Sequence, residues 1–239
     1  MRGNVDCVAT EERRRILAEY RRREVQIDHD LYAPYQPAEM LMRFERKRVA
    51  AQELFKAGIF PRPGDQCVEI GYGTLGWLGD LISWGLRETD LHGIELDPDR
   101  AARAKQILPL ADLRIGDATE LPWDRNTFQL AIASTVFTSI LNPHIRYMVA
   151  QEIIRVLKPG GGVLWYDFRF NNPANPHVRK VDRKELKDLF SGCKGKIRSI
   201  TLAPPIARLV ATKSWSLATV LGCVPFFRTH LLAVLVKES

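Results

Sequence analysis

From residue 66 onward, short apolar runs alternate with longer amphipathic stretches. "CVEIG" reads as a buried strand, "LGWLGDLISWG" as a helix ending at Gly85, and "DLHGIEL" as a second strand. "DPDRAARAKQIL" follows as a helix that Asp97 can cap with Pro98 in its first position. "ADLRIGDA" and "FQLAIAST" supply strands three and four. "NPHIRYMVAQEIIRVLKPGG" reads as a helix stopped by Pro159 and Gly160, and "GVLWYDF" as strand five. After a helix near "DRKELKDLF" come two more strand-like runs, "KIRSITLA" and "RTHLLAVLVKE". Such alternation implies an α/β fold with a mostly parallel sheet wound on both faces and ligands at the strands' carboxyl ends.

Two helices are predicted before the first strand. Thr10 is placed to cap "EERRRILAEYRRREVQI", which carries Ile16, Leu17, Tyr20 and Ile27 on one side. A loop with two tyrosines and two prolines leads to Pro37, which opens the second helix, with Gly58 as its C-cap. Residues 1–60 are therefore expected to form a helical extension or lid, and residues 61–239 the main domain. Within that domain the apolar segment 203–228 separates the last two strands. No repeat or internal linker interrupts the pattern.

Composition narrows the class. The 239 residues suffice for one α/β domain with an extension, and 46% apolar and 26% charged residues are ordinary for a globular chain. The N-terminus has no apolar signal-like core, and "WSLATVLGCVPFF" is too short to span a bilayer and contains a proline. That excludes a transmembrane segment but leaves room for peripheral membrane contact. Cys7, Cys67, Cys193 and Cys223 lack metal-ligand spacing and read as free thiols in a reducing cytoplasm, with no metal site. The net charge of +7 is concentrated in residues 165–239, which carry 13 basic and 5 acidic groups. A solvated basic surface is the plain explanation of that excess.

Candidate chemistry begins at "VEIGYGTLGWLG", where Gly71, Gly73 and Gly76 spell G-x-G-x-x-G after the first strand. Such a turn aims backbone N–H groups and a helix N-terminus at a ligand. Glu95, 19 residues past Gly76, can accept from both hydroxyls of an adenosine ribose. Both NAD and S-adenosylmethionine satisfy these features. Glu69 separates them, because a carboxylate repels a pyrophosphate but attracts an ammonium or sulfonium. Downstream, Asp117 in "GDATELPW" can accept from an adenine amino group, and Ala118 offers an N–H beside it.

With "VEIGYGTLG", "GIELD", "GDATELPW", "FQLAIAST" and "RVLKPGGGVLWYDF" in order across residues 67–168, the chain resembles the class I S-adenosylmethionine-dependent methyltransferases, of the small-molecule branch. The resemblance implies a Rossmann-like, seven-stranded, mostly parallel sheet with an antiparallel last strand, S-adenosyl-L-methionine as cofactor and S-adenosyl-L-homocysteine as product. It also implies roles. Glu69 would hold the methionine amino group; Gly71, Gly73, Thr74 and Gly76 would pass beside the methionine moiety. Tyr72, where relatives often carry a small residue or cysteine, would narrow the pocket or stack there. Glu95 would bind ribose, Leu96 pack on adenine, Asp117 and Ala118 fix adenine's edge, and Ser134 approach the methionine end by its backbone.

The acceptor is less defined. Strand four continues into "STVFTSI" rather than the Asn/Asp-Pro-Pro-aromatic signature of base or glutamine nitrogen methylation, so an oxygen on a small molecule is the favoured acceptor. His144 and Asp167 are the candidate general bases, each with a structural alternative. The apolar 203–228 segment, edged by Arg208 and Lys213, is expected to cover the acceptor site. With the basic C-terminal third it fits an acceptor with an anionic part, such as a sugar, lipid-linked or quinone-type molecule. A nucleic-acid methyltransferase, suggested by the arginine-rich first helix, and a catalytically silent binding protein are the alternatives; a nicotinamide dehydrogenase is disfavoured by Glu69.

Overall fold

A computed structural model describes residues 2–26, 29–172 and 175–238. Ile27 and residues 173–174 of "NNPANP" lie outside the described residues. The sheet has seven strands in the order β3-β2-β1-β4-β5-β7-β6. These are β1 Cys67–Ile70, β2 Leu91–Glu95, β3 Asp112–Ile115, β4 Phe128–Ser134, β5 Leu157–Phe168, β6 Cys193–Leu202 and β7 Arg228–Lys237. Strands β1 to β5 pair in parallel, whereas β7 pairs antiparallel with both β5 and β6. Strand β6 therefore runs with the parallel set, and β7 alone runs against it. Hence the loop leaving β6 emerges at the same edge as the carboxyl ends of β1, β2, β4 and β5.

Among the described residues eight α-helices flank the sheet: α1 Arg2–Gln26, α2 Pro37–Lys56, α3 Leu78–Ser83, α4 Pro98–Ile107, α5 Pro143–Val156, α6 Arg183–Leu189, α7 Pro204–Ala211 and α8 Trp215–Cys223. One face buries Val149 and Ile153 of α5 and Leu186 of α6 against Trp165 and Phe137, with Ile16 of α1 at its margin. The other face buries Leu54 of α2, Leu78 and Leu81 of α3 and Ala104 of α4 against Leu130 and Ile132. Both sides of the central strands are thus dry, which is why they read as near-continuous apolar runs. A third, smaller cluster joins Ala38 and Leu41 of α2 to Ala207 and Ala211 of α7 and Ala218 of α8.

Several boundaries differ from expectation. Helix α1 begins near the N-terminus, so Thr10 lies inside it rather than capping it; no proline between residues 2 and 26 forces a start at Thr10. Helix α3 covers only Leu78–Ser83, with Gly85 at φ +99° turning the chain toward β2. Helix α5 stops at Val156, three residues before Pro159, and β5 starts directly at Leu157. A Cβ on Gly161 would lie 2.9 Å from the Gln129 carbonyl oxygen, so the glycines let β5 close on β4 there. Other expectations are met: Asp97 accepts from the N–H groups of Asp99 and Arg100, with Pro98 at the first position. The C-cap of α2 is Ala57 rather than Gly58, which follows it at φ +73° and turns the chain.

Candidate cofactor site

Chain direction brings the site together. At the end of β1 the backbone turns through Gly71 (φ +67°), and the Gly71 N–H donates to the Ile94 carbonyl of neighbouring β2. A side chain at Gly71 would meet Val136 Cγ2 at 2.9 Å, so only a bare backbone fits. Glu95, at the end of β2, straps two loops: one carboxylate oxygen accepts from Gly73 N at 2.8 Å and the other from Asp97 N at 3.0 Å. Asp117, just past β3, accepts from Thr119 N at 2.9 Å and pairs with Arg13 of α1 at 3.0 Å. Gly71, Glu95, Leu96, Asp117 and Ala118 thereby line one cavity, closed on its far side by Val136 and Ile145 and roofed by Arg13, Ile16 and Tyr20 of α1.

The contacts that seat α1 over this cavity were not legible in the sequence. Helix α1 is held down mainly by polar contacts. Glu12 accepts from Leu141 N, and Arg15 donates to the Ser139 carbonyl. Arg100 sits 4.2 Å from the Tyr20 ring, and Glu24 pairs with Arg100 and Arg103 at 3.4 and 3.6 Å. With α1 in place the cavity measures about 70 Å³, far below the roughly 300 Å³ at which small-molecule sites begin. A more open cleft of about 650 Å³ adjoins it, bounded by Gly73, Thr74, Glu24, Arg100 and Arg103. Donors and acceptors fit an adenosyl ligand: a bare glycine turn, two carboxylates from adjacent strand ends and apolar walls. With α1 seated, the enclosed cavity alone is smaller than such a ligand.

Other residues named from sequence fall elsewhere. Glu69 points away from the cavity to the start of α3, where one oxygen accepts from Trp77 N at 2.7 Å and Leu78 N at 3.1 Å. Its carboxylate fills the space a Cβ on Gly76 would need, which explains the glycine at φ +49°. Full burial pushes the Glu69 pKa up to about 8, against the two N–H donors and Arg46, which pull it down. The Tyr72 side chain corrects the expectation of a pocket residue. Its ring lies under Gly93 in the core, and its hydroxyl donates to the Arg114 carbonyl at 3.3 Å. Ser134 is half-buried at the end of β4, beside Thr135, whose φ of +57° turns the chain toward Val136.

Neither proposed base faces the cavity. Asp167 is fully buried, and its oxygens accept from the Thr138 N–H and hydroxyl and from Phe168 N. Desolvation raises its pKa to about 6, opposed by those bonds and by nearby Arg146. This carboxylate pins the short helix Phe137–Ser139 to β5, while Arg169 donates to the Ser199 hydroxyl. His144 is exposed in the first turn of α5, where its N–H donates to the Asn142 cap. Both expectations of a general base are corrected by this placement. A second polar cluster went unread: Tyr166 stacks on His230 (centroids 4.7 Å apart) and bonds the Thr201 hydroxyl, under Arg46 of α2. Burial lowers the His230 pKa to about 3, with Arg46 adding to the shift.

With fold and site in view, residues 67–161 match the model of a methyltransferase domain family. A phthiotriol/phenolphthiotriol dimycocerosates methyltransferase of Mycobacterium leprae is 26% identical over 133 residues, 52% of this chain and 48% of that one. A ubiquinone/menaquinone biosynthesis C-methyltransferase of Ruegeria sp. is 31% identical over 117 residues, 45% of this chain and 44% of its own. The chain thus spans about half the length of the curated relatives it matches. Among solved structures, a geranyl diphosphate C-methyltransferase of Streptomyces coelicolor, in complex with Mg2+, geranyl diphosphate and S-adenosyl-L-homocysteine, superposes with a TM-score of 0.57. Identity there is 16%, over 80% of this chain and 77% of that one. The seven-stranded fold is that of this neighbour, and the match to the methyltransferase domain model covers residues 67–161, less than half of the chain.

Proposed function

We propose that this chain transfers the methyl group of S-adenosylmethionine to a small molecule that joins an apolar body to an anionic part, with an oxygen as the first acceptor atom to test. The observation that carries the reading is the convergence of Gly71, Glu95 and Asp117, from three separate strand ends, on one cavity. Glu95 would take the ribose hydroxyls and Asp117 the adenine amine, once Arg13 gives it up. The bound cofactor supplies an electrophilic methyl group. The protein's part is alignment and exclusion of water, which suffice for large accelerations in displacement chemistry. Because Asp167 and His144 lie off the cavity, no general base is assigned.

Helix α1 acts as the lid, and the 203–228 segment, emerging at the ligand edge from β6, would flank the acceptor. The M. leprae, Ruegeria and Streptomyces proteins are named for phthiotriol dimycocerosates, ubiquinone/menaquinone and geranyl diphosphate, which supports an acceptor of this kind. A carbon acceptor is the second reading, favoured because two of the three are named C-methyltransferases. A nucleic-acid acceptor is disfavoured by the use of Arg13, Arg15 and Arg22 in ion pairs within the protein.

The experiment is incubation of the purified protein with methyl-labelled cofactor and a panel comprising an isoprenoid diphosphate, a hydroxylated quinone precursor and a long-chain glycol lipid. Label in one product, its position read by NMR, supports the reading and decides oxygen against carbon. Cofactor binding with no transfer to any member favours the silent binding protein. Transfer to an oligonucleotide added as control overturns the small-molecule assignment.

A further inference from the structure

Helices α7 and α8 are built inside out for a water-facing pair. An amphipathic surface helix turns its large apolar residues inward and polar ones to solvent. Here the buried positions are small: Ala207 and Ala211 in α7, Ala218 and Gly222 in α8, the last facing Leu202. Several bulky residues face out, with Leu209 66% exposed, Leu217 50%, Val220 62% and Phe226 84%, while Ile206, Val210 and Leu221 pack partly against the small cluster. Trp215 is also exposed, at the start of α8. From Ser214 to Phe227 no side chain carries a charge. Scattered exposed apolar residues need no explanation, but a contiguous set on a charge-free segment does.

Charge around the patch points to one occupant. Between Asp188 and Glu238 the sequence carries no Asp or Glu; of its Lys and Arg, Arg208, Lys213 and Arg228 lie in or beside α7 and α8, whereas Lys194 and Arg198 on β6 pair with Glu238 and Glu53. Exposed Lys213 lies in the turn between α7 and α8. Arg208, on α7, lies 5.3 Å from the Tyr32 ring, tying the patch to the segment between α1 and α2. A protruding apolar surface with a tryptophan at its start and only positive charge in its sequence neighbourhood fits the headgroup boundary of an anionic bilayer. A protein partner would instead favour a rim of mixed sign. Among the described residues no helix is long and apolar enough to cross a membrane, so contact would be in-plane.

We propose that the surface formed by α7, α8 and Pro225–Phe227 docks this protein on anionic lipid membranes. Since the segment leaves β6 at the ligand edge, docking would turn that edge toward the bilayer, from which an apolar acceptor could be drawn. That orientation rests on the proposed function, whereas docking itself does not.

The test is flotation with vesicles of phosphatidylcholine, with and without phosphatidylglycerol, of the full chain and of Leu217→Ser/Phe226→Ser and Lys213→Glu variants. S-adenosylhomocysteine affinity and thermal midpoint are measured on the same samples. Expected are partition to the anionic vesicles, weakened by about 0.5 M salt, and a loss of at least about tenfold in the double variant with cofactor affinity unchanged. Lys213→Glu should lower binding to anionic vesicles and leave the weak binding to neutral ones unaltered. Failure to float with either vesicle overturns the proposal, as does flotation that the double variant retains. A wild-type dimer in sedimentation velocity that the double variant converts to monomer would assign the surface to a second copy and overturn it equally. Absence of methyl transfer with flotation intact would sink only the proposed function.

Discussion

Glu69 is turned to the start of α3, and its burial lets proton counting decide whether it also meets the ammonium end of a cofactor. In the free protein its pKa stands near 8, raised by burial, so below pH 7 it is mostly protonated. A ligand ammonium brought to this carboxylate, directly or through water, stabilises the ionised form, and binding must expel a proton. One proton released makes the dissociation constant fall about tenfold per pH unit below the free-state pKa. Between pH 5.5 and 7, where an α-amino group stays charged, the fall is about thirtyfold. The assay is calorimetric titration with S-adenosylhomocysteine at both pH values, in two buffers of different ionisation enthalpy so that protons are counted. Glu69→Gln keeps an oxygen for the Trp77 and Leu78 N–H groups and should flatten the pH dependence. An affinity independent of pH in the wild type, or an equal slope in the variant, would show that Glu69 serves only the start of α3. Stability gives a matching sign. Because the folded pKa is raised above the ordinary 4.5, Glu69's contribution is present below 4.5 and lost as pH rises through about 8. Chemical denaturation of the ligand-free protein should therefore show Glu69→Gln gaining on the wild type by a few kcal/mol across that window.

Two substitutions probe the remainder of the site. Arg13→Ala frees Asp117 and loosens α1; with a partly exposed pair contributing about 0–1 kcal/mol, S-adenosylhomocysteine should bind about two- to fivefold tighter by titration, and weaker binding would make Arg13 part of the site rather than its gate. Asp167→Asn leaves one of the two oxygens that accept from Thr138 and Phe168 and sets an NH2 group against a donor; it should cost about 1–3 kcal/mol in urea unfolding while leaving transfer in the folded fraction within a few-fold. Transfer lost at unchanged stability and cofactor affinity would restore Asp167 as a base.

Local patterns carried the fold a long way. The glycine turn, the Asp97-Pro98 cap and the apolar β4 and β5 segments each state their conformation through neighbours in sequence. The Glu95 and Asp117 positions followed because strand ends in a parallel sheet share an edge. What stayed hidden depends on contacts remote in sequence. Arg13 meets Asp117 only because α1 folds over the cleft, and arginine triplets with interleaved glutamates look the same on a solvated face. Tyr72 was misread because side chains alternate above and below the turn, and its ring follows Gly93 into the core. Asp167 was assigned to chemistry because a strand-end carboxylate looks the same whether it faces a ligand or, as here, the backbone of a neighbouring short helix. Likewise the inverted faces of α7 and α8 emerge only when burial is known.

The account rests on an adenosyl ligand held at Glu95 and Asp117 under α1. Calorimetric titration with S-adenosylmethionine, S-adenosylhomocysteine and NAD, in wild type and Glu95→Ala with folding checked by thermal unfolding, tests it most directly. Micromolar binding of the two sulfur nucleosides, absent for NAD and lost in a folded Glu95→Ala, is the expected result. Binding of NAD alone, or undiminished affinity in Glu95→Ala, would contradict it.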